Sequence, residues 1–238
     1  MNYVLDAHTH TLVSGHAYNT MKEMAEAAKE HGLALLGITD HAPGMPGSCH
    51  EFHFENFRII DRNAYAVPIL LGCELNILDE NGSVDMRPDL MAKMDYNIAS
   101  LHPPCVRFMS KEETTHALIQ CIANPDIHII GHPDDGRFSI DYESIVKAAK
   151  EYHTLLEINN SSLLPTSYRP NALENYTTML KLCERYGVSI IANSDAHVDT
   201  SVGRHDASFA LIEKLNFPEE LVVNTSIDKF KAFIKKDE

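Results

Sequence analysis

Val4-Leu5-Asp6-Ala7-His8-Thr9-His10 is a short apolar run that ends, on its C-terminal side, in an acid and two histidines spaced two apart. The same change recurs along the chain. Leu35 to Ile38 leads into Thr39-Asp40-His41, Ile69 to Leu71 into Cys73-Glu74, and Ile98 to Leu101 into His102-Pro103. Ile127 to Ile130 leads into Gly131-His132-Pro133, Leu155 to Ile158 into Asn159-Asn160-Ser161, and Val188 to Ala192 into Asn193-Ser194-Asp195-Ala196-His197. Short, continuously apolar runs suit strands buried on both faces of a parallel sheet.

Helical patterns with legible ends lie between most of these runs. Thr20-x-x-Glu23 is a capping box, Met21, Met24, Ala25 and Ala28 form a stripe, and Gly32 closes the helix. Ser110-x-x-Glu113 opens a second helix that turns Ala117, Leu118, Cys121 and Ile122 inward. Asp141 is expected to cap a third, carrying Ile145, Ala148, Ala149 and Tyr152, and Asn171 a fourth that ends before Gly187. The alternation predicts one α/β barrel of about seven strands. No repeat, linker or composition shift divides the sequence, so a single domain over residues 1–238 is expected.

Parallel barrels gather the C-terminal ends of their strands on one face, where active sites are built. Residues almost 190 positions apart would therefore converge in one bowl. His8 and His10 are two apart on a strand, so both side chains point the same way, and Asp195 and His197 repeat that spacing. Imidazole and carboxylate together suit Zn, Mn or Fe, and Glu74 can bridge two ions with its two oxygens. Buried imidazoles and carboxylates at so many strand ends would be costly without metal.

Composition narrows the function. At 238 residues and 44% hydrophobic, the chain can bury a sizeable core. Lys and Arg number 20 against 34 Asp and Glu, a net charge of −14, which argues against a nucleic-acid binder. No apolar run approaches the ~20 residues that span a bilayer, so no membrane partner is expected. The N-terminus lacks the basic and apolar regions of a secretory signal. Cys49, Cys73, Cys105, Cys121 and Cys183 are odd in number and form no C-x-x-C, as expected for free thiols in a reducing cytoplasm.

D-x-H-x-H near the N-terminus, I-T-D-H after the second run, a strand-end Glu, two further strand-end His and a terminal S-D-A-H resemble the signature of the PHP (polymerase and histidinol phosphatase) superfamily. His16-Ala17-Tyr18, His53-Phe54 and Glu157-Ile158-Asn159-Asn160-Ser161-Ser162 further resemble its YcdX-type stand-alone phosphatases. The resemblance runs from Asp6 to about Gly203. It implies a distorted (β/α)7 TIM-like barrel with three divalent ions, Zn foremost, at the C-terminal face. It assigns His8, His10, Glu74 and Asp195 to one ion, Glu74, His102 and His132 to a second, and His16, His41 and His197 to a third.

The activity so implied is hydrolysis of small phosphomonoesters by a metal-bridging hydroxide, with water brought to a pKa of roughly 7. Three dications would move the net charge from −14 to −8 and make the bowl locally positive. Catalytic roles fall to Glu74 and Asp195, with Asp40 orienting a ligand or accepting a proton. Asn160, Ser161, Arg169 and His53 are the candidate substrate contacts. A PHP-type phosphodiesterase or exonuclease, an amidohydrolase-like hydrolase and a non-enzymatic metal binder are the competing readings. A homo-oligomer is compatible with all of them. His31, His116, His128, His153 and His205 are expected to be structural, and Cys73 and Cys105 to be packing residues.

Overall fold

The computed structural model describes residues 1–234, and residues 235–238 of the expected domain lie outside the described residues. The strand segments are β1 (Leu5–Asp6), β2 (Leu35–Ile38), β3 (Ile69–Leu71), β4 (Cys73–Asn76), β5 (Asn97–Ser100), β6 (Ile129–Ile130), β7 (Leu155–Asn159) and β8 (Ile190–Asn193). The helices are α1 (Met21–Glu30), α2 (Phe52–Glu55), α3 (Pro88–Met91), α4 (Lys111–Ile122), α5 (Tyr142–Tyr152), α6 (Ala172–Tyr186), α7 (Asp206–Lys214) and α8 (Ile227–Ile234). All strand pairs are parallel, in the orders β1-β2-β3 and β4-β5-β6-β7-β8.

β3 and β4 are one sequence run broken at Gly72. A Cβ at Gly72 would lie 2.5 Å from the Tyr96 carbonyl oxygen, so only glycine lets the chain bend there. Counted through this break, seven strands follow the chain around a distorted α/β barrel. A parallel bridge pairs His41 with Glu74 beyond the break. The apolar runs located every strand except β4, which reads from the sequence only as a ligand motif.

Between β1 and β8 the ring is closed largely by side chains. Thr9 and Ala196 form one parallel bridge. Elsewhere Asn193 Oδ1 accepts from Ala7 N at 3.0 Å, and Asp6 Oδ1 from Ser194 N at 3.1 Å. Asn224 bridges the seam: its Oδ1 accepts from Ala192 N at 2.7 Å, while its Nδ2 donates to the carbonyls of Leu5 (3.2 Å) and Ala192 (2.6 Å). Buried backbone groups without a ladder partner are thus satisfied by amides and carboxylates.

Alternation along the strands separates two apolar layers. Leu5, Leu35, Ile98, Ile129, Leu155 and Ile191 fill the ring, with Tyr96 and Phe230 of α8 in edge contact at 5.4 Å. Leu36, Ile130, Leu156 and Ile190 face outward onto Met24, Leu118, Ile145, Met179 and their neighbours. The capping boxes at Thr20 and Ser110 are formed, and Asp141 accepts from the backbone N–H groups of Glu143 and Ser144. Asn171 differs from expectation. Its φ is +61° and its side chain makes no capping bond, because the chain enters α6 through a left-handed turn. Among the described residues, no helix is long and apolar enough to cross a membrane.

Candidate metal centre

The strand ends converge as the barrel requires. Glu74, on β4, lies between the imidazoles: its Oε1 is 3.3 Å from His8 Nε2, 3.3 Å from His102 Nε2 and 3.0 Å from His132 Nε2. Its Oε2 is 3.4 Å from His10 Nε2 and 2.7 Å from His41 Nδ1. Asp195, beyond β8, brings Oδ1 to 3.6 Å from His8 Nε2 and 3.3 Å from His10 Nε2. His197 and His16 close the outer side with their Nε2 atoms 3.1 Å apart. All nine candidate ligands are therefore brought together. His132 (φ +30°) and Asp195 (φ +55°) have left-handed backbones, a conformation that side chains other than glycine adopt at a cost and that concentrates at functional sites.

The donor set tests whether metal fits. Although oppositely polarised atoms are close, His8 Nε2, His10 Nε2, His41 Nδ1 and Glu74 Oε2 are buried without a hydrogen bond. The opposite ring nitrogens explain why. His8 Nδ1 is 2.7 Å from Glu157 Oε1, an acceptor, so the proton belongs on Nδ1 and Nε2 keeps a lone pair. Ser14 donates its hydroxyl proton to Asp40, so its oxygen accepts from His10 Nδ1 at 3.0 Å, again freeing Nε2. Asn76 donates its amide to Asp85, and its Oδ1 accepts from His102 Nδ1 at 2.7 Å. His197 Nδ1 donates to the Asp195 carbonyl at 3.0 Å. Lone pairs and carboxylate oxygens thus face one another across a buried volume, an arrangement that cations satisfy.

Against the effect of burial, Glu157, Glu74 and Asp195 hold the His8 imidazole well above its ordinary pKa, so a cation would take the place of a proton there. Burial opposes ionisation of Glu74, yet His8, His102 and His41 hold its carboxyl well below the usual range. Asp195 is held down against burial by His8, His10, His197 and Arg169. Burial, reinforced by His197 and His41, keeps the His10 imidazole well below its ordinary pKa, in the neutral form that binds metal.

A cavity of about 410 Å³ opens above the centre. Its floor includes His41, Glu74, His132 and Asp195; Met45, Pro46, Pro103 and Pro104 also line it, as do Arg137, Tyr168 and Arg169. The Arg169 side chain is buried, with Nη2 3.3 Å from Asp195 Oδ2 and Nη1 3.0 Å from Ser162 Oγ. The other expected substrate contacts are not brought to the cavity. Asn160 accepts from the N–H groups of Ala207 and Ser208 at the start of α7, and Ser161 donates to the Ser194 carbonyl. His53 lies behind the centre, 3.7 Å from Asp40. Asp40 is fully buried and accepts from Thr11 and Ser14, so it reaches the centre through Ser14 and His10.

The role of one residue escaped the sequence reading. Glu157 holds His8 and also accepts from His132 N at 2.7 Å; its signal is a lone charge inside the apolar run Leu155-Leu156-Glu157-Ile158. His205, expected to be structural, is buried 3.9 Å from Asp6 and packs edge-on against Tyr3.

Known proteins resemble the chain over nearly its whole length. A protein of Clostridium novyi named Probable phosphatase is 43% identical over 235 residues, covering 99% of this chain and 96% of its own length. Another of that name from Caldicellulosiruptor saccharolyticus is 44% identical over 231 residues, covering 97% and 95%. The solved histidinol phosphate phosphatase of Lactococcus lactis, complexed with Zn, L-histidinol and phosphate, has the same fold. It has a TM-score of 0.61 at 18% identity, covering 91% of this chain and 95% of that one. The PHP domain family matches residues 6–236, and the chain belongs to that family.

Proposed function

We propose that residues 1–238 act as one domain, a metal-dependent phosphatase that hydrolyses small phosphomonoesters at a trinuclear centre. The carrying observation is the set of tautomer-fixed ring nitrogens on buried His8, His10 and His102 and on half-exposed His197, around Glu74 and Asp195. His8, His10, Glu74 and Asp195 would hold one ion, Glu74, His102 and His132 a second, and His16, His41 and His197 a third. Three-residue groups within this set already lie with ligand atoms inside 4.8 Å of one another. Imidazole with carboxylate suits Zn, and also Mn or Fe. When bound, such ions supply Lewis acidity toward phosphoryl oxygens and activate water at neutral pH.

The chain's own groups do the rest. Arg169, already locked beside Asp195, is aimed at an outer phosphate oxygen by a fork that matches phosphate. Asp40 and Glu157 orient ligands through Ser14 and directly, so their part is positioning. Met45, Pro46, Pro103 and Pro104 give the cavity apolar lining that limits water around the reacting group. The names of the relatives agree with this chemistry.

The test measures hydrolysis of a phosphomonoester, a phosphodiester and an amide by protein of known metal content. Phosphomonoester turnover that chelation abolishes and Zn or Mn restores is expected. Metal content persistently at or below one ion per chain would remove the trinuclear reading, and preference for the diester or amide would remove the phosphomonoesterase.

A further inference from the structure

Arg169 has a counterpart farther out. Arg137 also lines the cavity, and both guanidinium carbons approach the same ring, that of Tyr168, at 5.2 Å (Arg137) and 5.4 Å (Arg169). The two cations differ in depth: the Arg169 side chain is 7% exposed and the Arg137 side chain 30%. Tyr168 itself is 71% exposed, so the pair shares a ring at the cavity rim.

Arg137 is rigidly held. Asp135 accepts from its Nε at 2.9 Å and also from its Nη2, while Asp135 Oδ1 accepts from the Arg137 backbone N–H at 3.0 Å. Among the described residues, Nη1 makes no hydrogen bond. Asp135 is buried and does not line the cavity, so the unpaired end of the fork is the end left for a ligand. The loop that carries Arg137 is tied to the loop that carries Tyr168 and Arg169. Gly136 N donates to the Pro170 carbonyl at 2.9 Å, and a Cβ at Gly136 would lie only 2.6 Å from that oxygen. Ligand His132, Arg137, Tyr168 and Arg169 therefore form one stiff wall. A fixed, half-exposed guanidinium costs little ordering on binding an anion.

We infer that Arg137 and Tyr168 form an outer anion subsite, so that the favoured substrates are phosphomonoesters carrying a second anionic group beside the reacting phosphate. This rests on the phosphatase reading for the inner subsite, but binding tests it separately. A single fixed charge-assisted contact corresponds to about tenfold in affinity.

Calorimetric titration of metal-loaded protein would compare ethylphosphonate, which has one anionic group, with 3-phosphonopropionate and propane-1,3-diphosphonate, which have two. The expected result is binding of at least one of the two-group probes about tenfold tighter than ethylphosphonate, with the preference lost in Arg137→Gln. Tighter diphosphonate binding would assign the second group as phosphate, and tighter carboxylate binding as carboxylate. Arg137→Lys, which keeps the charge toward Asp135, should retain part of the preference and covers the case in which Arg137→Gln does not fold. Equal binding of all three probes by the wild type, or an undiminished preference in Arg137→Gln, would overturn the subsite. A preserved binding preference without hydrolysis of any phosphomonoester would leave the subsite standing and overturn the phosphatase reading instead.

Discussion

Glu74 meets five imidazoles with two oxygens, all within 3.4 Å. Replacing it by Gln keeps the shape and removes the charge that balances the cations. Glu74→Gln should lower kcat/KM on the order of a hundredfold and reduce bound metal, more than His16→Ala does at the open side. Steady-state kinetics beside elemental analysis checks this, and full activity in Glu74→Gln would refute the shared-ligand role. Arg169→Ala should raise KM roughly tenfold with kcat little changed, the loss of one charge-assisted contact equal in ground and transition states. Metal measured on the same sample separates recognition from support, because Arg169 also touches Asp195. The ligands other than His16 were legible because each follows an apolar run, whereas His16 came only from the family resemblance. Arg137 was not, since a loop arginine carries no periodic signal and only the fold brings it beside Tyr168. Asn160 misled for the opposite reason: a polar residue at a strand end can serve the next helix instead of the bowl.

At the level of elements, apolar runs located every strand but β4 because buried parallel strands tolerate little else. Edges shifted where hydrogen bonding, invisible in composition, decides. Ile127 belongs to a turn closed by Asn124, so β6 begins only at Ile129. The break at Gly72 was likewise unreadable, since it depends on the approach of Tyr96, the residue before β5. Contact between the β6 loop and the Arg169 loop has the same character. Gly136→Ala should force Pro170 away, destabilise the fold by about 1–3 kcal/mol and raise KM together with it. Denaturant unfolding and kinetics check the pair of effects. Unchanged KM with lowered stability would show that the two loops need not move together.

For the whole molecule, closure of the ring depends on few groups. Asn224 serves Leu5 and Ala192 at once, so Asn224→Ala would strand buried backbone donors and acceptors from both barrel ends. A loss of roughly 2–4 kcal/mol is expected in chemical denaturation, with metal retention falling in parallel because His8, His10 and Asp195 flank this seam. Equal metal retention in the variant would mean that the centre does not depend on that closure. The seam also sets an order in time. A chain emerging from the ribosome displays His8 and His10 long before Asp195 and His197, and Asn224 later still. Until that last amide arrives, the ligands lack a fixed wall, and any ion they capture is held by an unclasped chain. Maturation is therefore a late, nearly single event, and a nascent chain released before Asn224 would carry every candidate ligand yet lack the clasp that keeps them facing one another.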